Sequence, residues 1–318
     1  MATGTDLAPL AVTMDETGPF AGVVTLTLEQ PGSPMVVLDE MLIRRIEAAL
    51  KGLPREMTGF VLASGSVGGR VFIAGADLKA IQFDAGDADG DRKLDAYLAY
   101  GQRVFGMISD LPCPTAAAIG GAALGGGLEI AMHCDGLIGA PNASGKPYPV
   151  GLPEAGLGIC PGWGGTNLLP ARMPPQDAAE AIKRTAIGKP LMYEEVVAAG
   201  MFDRVAPSAG ELLATAKQWV VEARSRMGQP GGIPKRDGAP SRWIGRAGIR
   251  AGALAGLAKV AGEGLVGEPV KSVMEAVRAG LENGWQAALD VERRELVRLR
   301  GTPAGRAAIA AFFEKGKK

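Results

Sequence analysis

Residues 117–135 read AAIGGAALGGGLEIAMHCD, a run of small and apolar residues broken by glycines. Residues 116–119 predict a short buried strand, and residues 125–127 precede a predicted helix with Glu129 in its first turn. Glycine permits close backbone approach, and the start of a helix leaves N–H groups without an internal acceptor. The segment therefore predicts a place where backbone donors and a carboxylate lie together.

Two further segments share this character. Residues 72–81, FIAGADLKAI, lead from a strand through Gly75 into a helix, and residues 151–170, GLPEAGLGICPGWGGTNLLP, place Glu154 among tight turns. Two backbone donors from separate loops would form an oxyanion hole, and two glutamates beside it would serve as a general acid and a general base. Taken alone, the residues favour a simpler interpretation, in which the glycines form turns and Glu129 stabilises a helix start.

The first two-thirds of the chain alternates apolar runs of strand character with segments of helical spacing. Strands are predicted at residues 23–28, 60–63 and 137–138, and helices at residues 38–50 and 91–109. Such alternation is typical of an α/β core with a mostly parallel sheet.

From about residue 207 the pattern is helical only. Helices are predicted at residues 211–226, 243–266, 269–299 and 302–313. Gly248, Gly252 and Gly256 recur every fourth residue and predict a smooth helix face for close packing, while Thr302 and Pro303 predict the cap and first position of the last helix. We therefore expect an α/β catalytic core at residues 1–206 and a C-terminal helical region at residues 207–318.

Composition excludes several classes of function. The chain has 318 residues, of which 34 are basic and 34 acidic, so its formal net charge is zero. This balance argues against nucleic acid or an anionic membrane as a partner, because there is no overall basic field. The single histidine, His133, excludes a histidine-rich metal site and is expected to pack in the core.

Other motifs are absent from the sequence. The three cysteines form no C-x-x-C pair, which argues against a zinc site or a disulfide framework, and no dinucleotide-binding or P-loop glycine motif occurs. The N-terminus does not look like a signal peptide, and Glu129 and Asp135 interrupt the longest apolar stretch. We therefore expect a cytoplasmic protein without a membrane span.

Together, the three glycine-bearing segments resemble the signature blocks of the crotonase (enoyl-CoA hydratase/isomerase) superfamily, in the family's order. EEVVAAGMFDRV, at residues 194–205, is similar to the block that closes the family's core, so the resemblance covers about residues 20–206. Residues 268–299 and 302–318 are similar to the helices after the hydratase module of multifunctional fatty-acid β-oxidation α-subunits. The chain ends before any dehydrogenase part, so we expect the hydratase half alone. The implied fold is an α/β, crotonase-like spiral of ββα units followed by a C-terminal helical region.

The resemblance also implies roles for single residues. The backbone N–H groups of Ala76 and Gly126 would form the oxyanion hole for the thioester oxygen. Glu129 would activate water, and Glu154 would exchange the proton at the α-carbon, which gives syn addition of water across a trans-2-enoyl-CoA double bond.

Further residues are implied as substrate contacts. Ala74, Asp77, Leu78 and Lys79 would lie near the CoA moiety, although for Lys79 an exposed surface position is an equal alternative. Trp163 would either line the acyl pocket or fill the core.

Because both glutamates are present, the resemblance favours an enoyl-CoA hydratase, a lyase of fatty-acid β-oxidation or a related pathway. The alternatives are a Δ3,Δ2-enoyl-CoA isomerase or another CoA-thioester lyase, and a catalytically idle crotonase-fold interaction module. We expect no metal and no cofactor, since the acyl-CoA thioester is itself the substrate. A homo-oligomer (trimer or hexamer), or association with a β-oxidation dehydrogenase or thiolase, is the expected assembly.

Overall fold

The computed structural model describes residues 8–230, 232–233 and 237–315. The strands of this part are β1 (Ala11–Met14), β2 (Val23–Leu28), β3 (Gly59–Ser64), β4 (Val71–Ile73), β5 (Thr115–Ile119), β6 (Ala122–Leu124), β7 (Gly136–Gly139), β8 (Pro149–Gly151), β9 (Leu191–Met192) and β10 (Arg204–Val205). The helices are α1 (Glu40–Lys51), α2 (Leu78–Gln82), α3 (Ala88–Ser109), α4 (Gly126–Met132), α5 (Gly165–Arg172), α6 (Ala178–Ile187), α7 (Tyr193–Ala198), α8 (Leu212–Ser225), α9 (Arg250–Ala261), α10 (Glu268–Asn283), α11 (Trp285–Arg300) and α12 (Pro303–Lys315).

The strands form two sheets, and the chain alternates between them. The first sheet has the order β1-β2-β3-β5-β7-β10 and the second β4-β6-β8-β9, with parallel pairing apart from the terminal pairs β1–β2 and β8–β9. The units β3-β4 then α2 and α3, β5-β6 then α4, and β7-β8 then α5 follow one another. This confirms the expected spiral of ββα units.

The second sheet positions the candidate site. Its strands β4, β6 and β8 are neighbours in parallel register, so their carboxyl ends meet at one edge. Each of the three glycine-bearing segments of the sequence continues directly from one of these strands. Segments that are distant in sequence are therefore brought together at the end of one sheet.

Helix α8 covers one face of the first sheet. Trp219 and Val220 are buried there in an apolar cluster with residues of β2, β3, β5 and β7. A Cβ at Gly59 would lie 2.8 Å from the Val220 side chain, and one at Gly136 would lie 2.7 Å from the Trp219 ring, so glycine is needed for this close packing. The helix thus lies on the core sheet, and the division of the chain at residues 206 and 207 stays a prediction.

The helices that follow α8 pack onto the helices of the core. Helix α9 contacts α6, α10 contacts α5 and α6, and α11 contacts α3 and α5. A Cβ at Gly252 would lie 2.8 Å from Pro175, and one at Gly256 would lie 2.9 Å from the backbone of Ala179, which confirms close packing for two of the three predicted glycines. Gly248 precedes the helix, with φ of +85°. In the described part, none of the helices is both long enough and apolar enough to cross a bilayer.

Two predicted helices differ from the observed ones. The helix expected at residues 243–266 is shortened to α9, and the one expected at residues 269–299 is divided at Gly284, which has φ of +95°. A single glycine lowers the stability of a helix by only about 1 kcal/mol, so Gly284 alone did not predict a break. The apolar stripe on either side of it suggested one continuous helix. Thr302 caps α12 as predicted, because its Oγ1 accepts from Gly305 N at 3.0 Å.

Candidate active site

The backbone of residues 74–77 runs beside Leu38 after the end of β4. Leu38 N donates to Gly75 O at 2.9 Å, and Asp77 N donates to Leu38 O at 3.1 Å. Because N–H groups point alternately to opposite sides of an extended chain, the N–H of Ala76 points away from Leu38. It points to the side where the segment after β6 lies.

Gly126 stands at that side, as the first residue of α4, so its N–H has no acceptor within the helix. A Cβ on Gly126 would lie 3.3 Å from Ala76 N and 2.4 Å from the Trp163 ring. The preceding Gly125 has φ of +52°, and a Cβ there would lie 2.6 Å from Glu154 Oε1. Glycine is therefore required at both positions, and the fold brings the two predicted oxyanion-hole donors side by side.

Glu129 lies one turn into α4 and is only 1% exposed. Its Oε1 accepts hydrogen bonds from Trp163 N and Gly165 N, both at 2.8 Å. Burial raises the pKa of Glu129 well above its usual range, and the charges of Glu292 and Glu154 raise it further, while the two backbone donors act in the opposite direction. The carboxylate is thus buried but held in an acceptor role by the backbone.

Glu154 follows β8 and opens a 3₁₀ turn, Glu154–Leu157. It is buried, and within the described residues its Oε2 has no hydrogen-bond partner. Burial is the main cause that raises the pKa of Glu154 to about 8, and the charge of Glu292 adds to it. An unpartnered buried oxygen favours the neutral, protonated form of this carboxyl group.

A third glutamate, Glu292, reaches the same region from α11 and is not among the residues predicted from the sequence. It is fully buried, and it accepts from Gly164 N at 2.5 Å and from Thr166 N at 2.9 Å. Burial raises the pKa of Glu292 to about 7. A signal was available, because Ala288 and Leu296 lie four residues before and after it and place a glutamate on the apolar stripe of a helix.

The two predicted glutamates line an apolar cavity of about 150 Å³. Trp163 lies on its wall and is also 1% exposed, so it both lines the cavity and fills the core. Leu296 of α11 and Phe312 of α12 complete the wall, which the sequence did not predict. The C-terminal helical region therefore contributes directly to the candidate site.

Of the four residues predicted to contact CoA, two line the cavity and two do not. Ala74 and Leu78 line the cavity, whereas Asp77 caps α2 by accepting from Lys79 N at 2.9 Å. Lys79 is exposed. A role of Asp77 and Lys79 in substrate binding therefore stays a prediction.

His133 is buried in the core, as expected. Its Nδ1 lies 3.1 Å from Ser109 Oγ and its Nε2 lies 3.2 Å from Trp163 O. Burial lowers its pKa to about 4, so the ring is neutral at physiological pH. Among the described residues, no group of three or more histidine, cysteine, aspartate or glutamate side chains is placed to hold a metal ion.

A larger cavity of about 300 Å³ lies beside α8, and Asp203 and Arg242 are part of its wall. Asp203 is already paired there, with Arg172 at 3.2 Å and with Arg242. Carboxylates that are neutralised by arginine are poorly suited to proton transfer. The smaller cavity, whose two glutamates form no ion pair within the described part of the chain, is therefore the candidate active site.

Comparison with known proteins identifies the family of this chain. Residues 19–227 match the model of the enoyl-CoA hydratase/isomerase family. The chain belongs to this family. A curated relative, the fatty acid oxidation complex subunit alpha of Shewanella amazonensis, is 31% identical over 297 residues, which cover 92% of this chain. The chain spans 40% of the length of that relative.

Solved structures carry the same crotonase fold. An enoyl-CoA hydratase from Bacillus halodurans has a TM-score of 0.64 at 19% identity and covers 96% of this chain and all of its own, 100%. An enoyl-CoA hydratase from Mycobacterium avium subsp. paratuberculosis has a TM-score of 0.61 at 20% identity, with 97% of both chains covered. At these identities the likeness establishes the fold of this family member, while its reaction has to be argued from its own residues.

Proposed function

We propose that this member of the enoyl-CoA hydratase/isomerase family is a lyase that adds water, in syn fashion, to trans-2-enoyl-CoA thioesters of fatty-acid β-oxidation or a related pathway. One observation carries the proposal: Glu129 and Glu154 are buried at one apolar cavity beside the N–H groups of Ala76 and Gly126. A conjugated thioester needs such a set, because negative charge develops on its oxygen while protons move at its carbons.

The two N–H groups would bind the thioester oxygen. They stabilise the enolate that forms when water adds, and loss of one such donor typically costs about 10²–10³ in rate. Both donors are backbone groups, Ala76 in a segment bonded to Leu38 and Gly126 at the start of α4, so no side chain has to reorganise during the reaction.

Glu129 acts as the general base. Burial and the charges of Glu292 and Glu154 raise the pKa of Glu129, and its hydrogen bonds from Trp163 N and Gly165 N act in the opposite direction by stabilising the carboxylate form that a general base needs. The carboxylate takes one proton from water while the water oxygen bonds to the β-carbon, and the electron pair of the double bond moves to the thioester enolate.

Glu154 acts as the general acid. Its pKa of about 8 keeps it protonated at pH 7, and it donates that proton to the α-carbon as the enolate collapses. Glu129 then releases its proton to solvent and Glu154 regains one. The balance is one water molecule added for each enoyl thioester.

A Δ3,Δ2-enoyl-CoA isomerase, or another CoA-thioester lyase, is the second candidate. The unpartnered Oε2 of Glu154 favours it, because moving a proton between the α- and γ-carbons needs one carboxyl group and the N–H pair. The two reactions differ in their need for Glu129.

The experiment follows the loss of the enoyl-thioester absorbance with crotonyl-CoA and with a longer enoyl-CoA, and the gain of the conjugated product from a 3-enoyl-CoA. We expect hydration by the wild type, and a loss of about 10²–10⁴-fold in Glu129→Gln with isomerisation retained. Glu194→Gln, an exposed change on α7, is the control and keeps full activity. Absence of hydration on every chain length, with isomerisation present, favours the isomerase. Absence of both favours an idle crotonase-fold interaction module.

The acyl-CoA substrate and the assembly are part of the same proposal. Leu296 and Phe312 belong to the wall of the cavity, so we expect them to set the preferred acyl length. The relative named as a subunit of a fatty acid oxidation complex supports association with a dehydrogenase or thiolase. Sedimentation of the chain alone distinguishes a homo-oligomer from a monomer that awaits such a partner. The cytoplasmic location stays a prediction.

A further inference from the structure

Residues 163–166 form a short stretch of backbone, here called the donor segment, whose consecutive N–H groups divide between two carboxylates. Trp163 N and Gly165 N donate to Glu129 Oε1, both at 2.8 Å. Gly164 N and Thr166 N donate to the two oxygens of Glu292, at 2.5 and 2.9 Å. The position of Glu129, on a helix of the core, is therefore tied through one piece of backbone to Glu292 on α11.

The attachment of α11 to the donor segment does not rest on Glu292 alone. Gln102 Nε2 donates to Gly162 O and to Leu289 O, both at 2.9 Å, and so joins the residue before the donor segment to α11. Cys160 Sγ lies 3.6 Å from Glu292 O. Thr166 Oγ1 also donates to Glu292, at 2.5 Å. The carboxylate is thus held in a fixed position by neighbours on both sides.

The donor segment needs an outside acceptor to keep its shape. Gly164 has φ of +102°, a conformation that L side chains rarely adopt, and it is followed at once by the first turn of α5. The first N–H groups of a helix have no internal acceptor, so they must be satisfied by another group. Glu292 supplies the acceptor for Gly164 and Thr166, which leaves Trp163 and Gly165 directed at Glu129.

We propose that Glu292 is a positioning residue for the acid–base pair: from the C-terminal helical region it fixes the donor segment, and thereby sets the place and protonation of Glu129. This inference deepens the proposed function and rests on it. It also gives the helical region a part in the chemistry, beyond covering the core.

Within the described residues, three titratable groups near Glu292 interact with its charge. They are Glu129 on α4, Glu154 in the 3₁₀ turn and Cys160 before α5. Other charged groups of α11 and of the facing α3 and α10 form ion pairs of their own: Arg293 with Asp95, Arg294 with Glu275, Arg298 with Glu268 and Glu295, and Arg300 with Asp91. A pH effect of a change at Glu292 is therefore expected to act on the active-site carboxyl groups.

The test is Glu292→Gln. A glutamine amide places an N–H₂ group where one backbone donor requires an acceptor, so the donor segment shifts. We expect kcat for hydration to fall about 10- to 100-fold with KM unchanged, since small displacements of a catalytic group cost about that much. The acid limb of the kcat/KM profile should move to lower pH, because the Glu292 charge no longer raises the pKa of Glu129.

The matched control is Glu295→Gln, three residues along the same helix. Glu295 is also buried, but it is bonded to Ser272 and paired with Arg294 and Arg298. We expect Glu295→Gln to lower the melting temperature of the protein without shifting the acid limb of its kcat/KM profile. Glu292→Asp keeps the charge and should keep the limb near its wild-type position. If Glu292→Gln and Glu295→Gln behave alike, with kcat and the limb unchanged, the role of Glu292 is purely structural and the proposal is wrong.

Two further measurements keep the test independent of folding and of the proposed function. Thr166→Val removes one hydroxyl donor and leaves Glu292 in place; since that donor lowers the pKa of Glu292, the variant should move the limb in the same direction as Glu292→Gln. Titration of ¹³C-labelled glutamate carboxyl groups by NMR, assigned with Glu129→Gln, requires no turnover. A wild type without hydration overturns the proposed function, whereas an unchanged Glu129 titration in Glu292→Gln overturns this inference.

Discussion

The two ends of helix α4, a helix of seven residues, are both buried but differ in the groups that surround them. At the N-terminal end, Glu129 accepts from backbone N–H groups and lies near two further carboxyl groups. At the C-terminal end, Arg172 donates to the carbonyl oxygens of Met132, Cys134 and Asp135 and pairs with Asp203. Several carboxyl groups with backbone donors lie near the N-terminal end, whereas at the C-terminal end a single acid, Asp203, is paired with Arg172 and Arg242.

Burial alone does not decide whether a carboxyl group is suited to proton transfer. A carboxylate beside a buried arginine balances the charge of that cation, so removing the carboxylate leaves a buried charge uncompensated. A buried carboxyl group with only dipolar donors keeps a raised pKa, as Glu154 does at about 8, and can give or take a proton near neutral pH. We therefore assign the chemistry to the N-terminal end of α4 and a structural role to the C-terminal end.

The largest effect on stability is expected at the C-terminal end. Asp203→Asn removes the charge opposite Arg172, whose side chain is fully buried, so we expect the free energy of unfolding to fall by about 3–5 kcal/mol. Urea unfolding measures this change, and kcat per folded molecule should stay at the wild-type value. Glu180→Gln, which breaks an exposed pair with Arg184, is the control and should change stability by less than about 1 kcal/mol. A loss of kcat in Asp203→Asn would contradict the division of roles.

At the N-terminal end the expected loss is of activity. Gly126→Ala places a Cβ 2.4 Å from the Trp163 ring, so the first turn of α4 must shift and its N–H moves with it. We expect kcat for the conversion of enoyl-CoA to fall about 10²–10³-fold, as for loss of an oxyanion-hole donor. Gly106→Ala in α3 meets no atom within 4 Å and is the matched control, with full activity and slightly higher stability. Equal activity of the two variants would show that the N–H of Gly126 is not an oxyanion-hole donor.

The candidate site could be predicted from the sequence only in part, and the reason lies in sequence separation. Glu129 and Glu154 stand in glycine-bearing segments, yet the residues alone favoured turns and helix starts, and it was the resemblance that gave them roles. The parallel register of β4, β6 and β8 is what brings these segments together. A local pattern in the sequence does not contain that register.

Glu292 lies still further from what a local pattern can predict. Glu292 lies 126 residues after Thr166, the nearest backbone donor in sequence that it binds. Its helix, α11, was predicted as one continuous helix with α10, without a break at Gly284. Only the packing of α11 against α3 and α5 places its carboxyl group at the donor segment. The fold class followed from the order of the elements, whereas this contact depends on tertiary packing.

The smallest expected effect concerns how stability varies with pH. Glu154 and Glu292 have pKa values of about 8 and 7 in the folded chain, above the ordinary value of 4.5. Between pH 4.5 and these raised pKa values, the folded state therefore binds more protons than the unfolded state. Their stabilising contribution is complete below pH 4.5 and is lost as pH rises through 7 and 8, with a slope of about 1.4 kcal/mol per pH unit for each proton. His133, with a pKa near 4, gives the opposite slope below about pH 6.5, so the window for measurement is about pH 6.5–8.5.

Urea unfolding across that window should therefore give a free energy of unfolding that decreases with pH in the wild type and decreases less steeply in Glu154→Gln. The control is Glu222→Gln, because Arg204 and Gln218 lower the pKa of Glu222 to about 2, far outside the window, and the slope should match the wild type. Parallel curves for the wild type and Glu154→Gln would mean that Glu154 is ionised in the folded chain at pH 7. It would then lack the proton that a donor in hydration must supply.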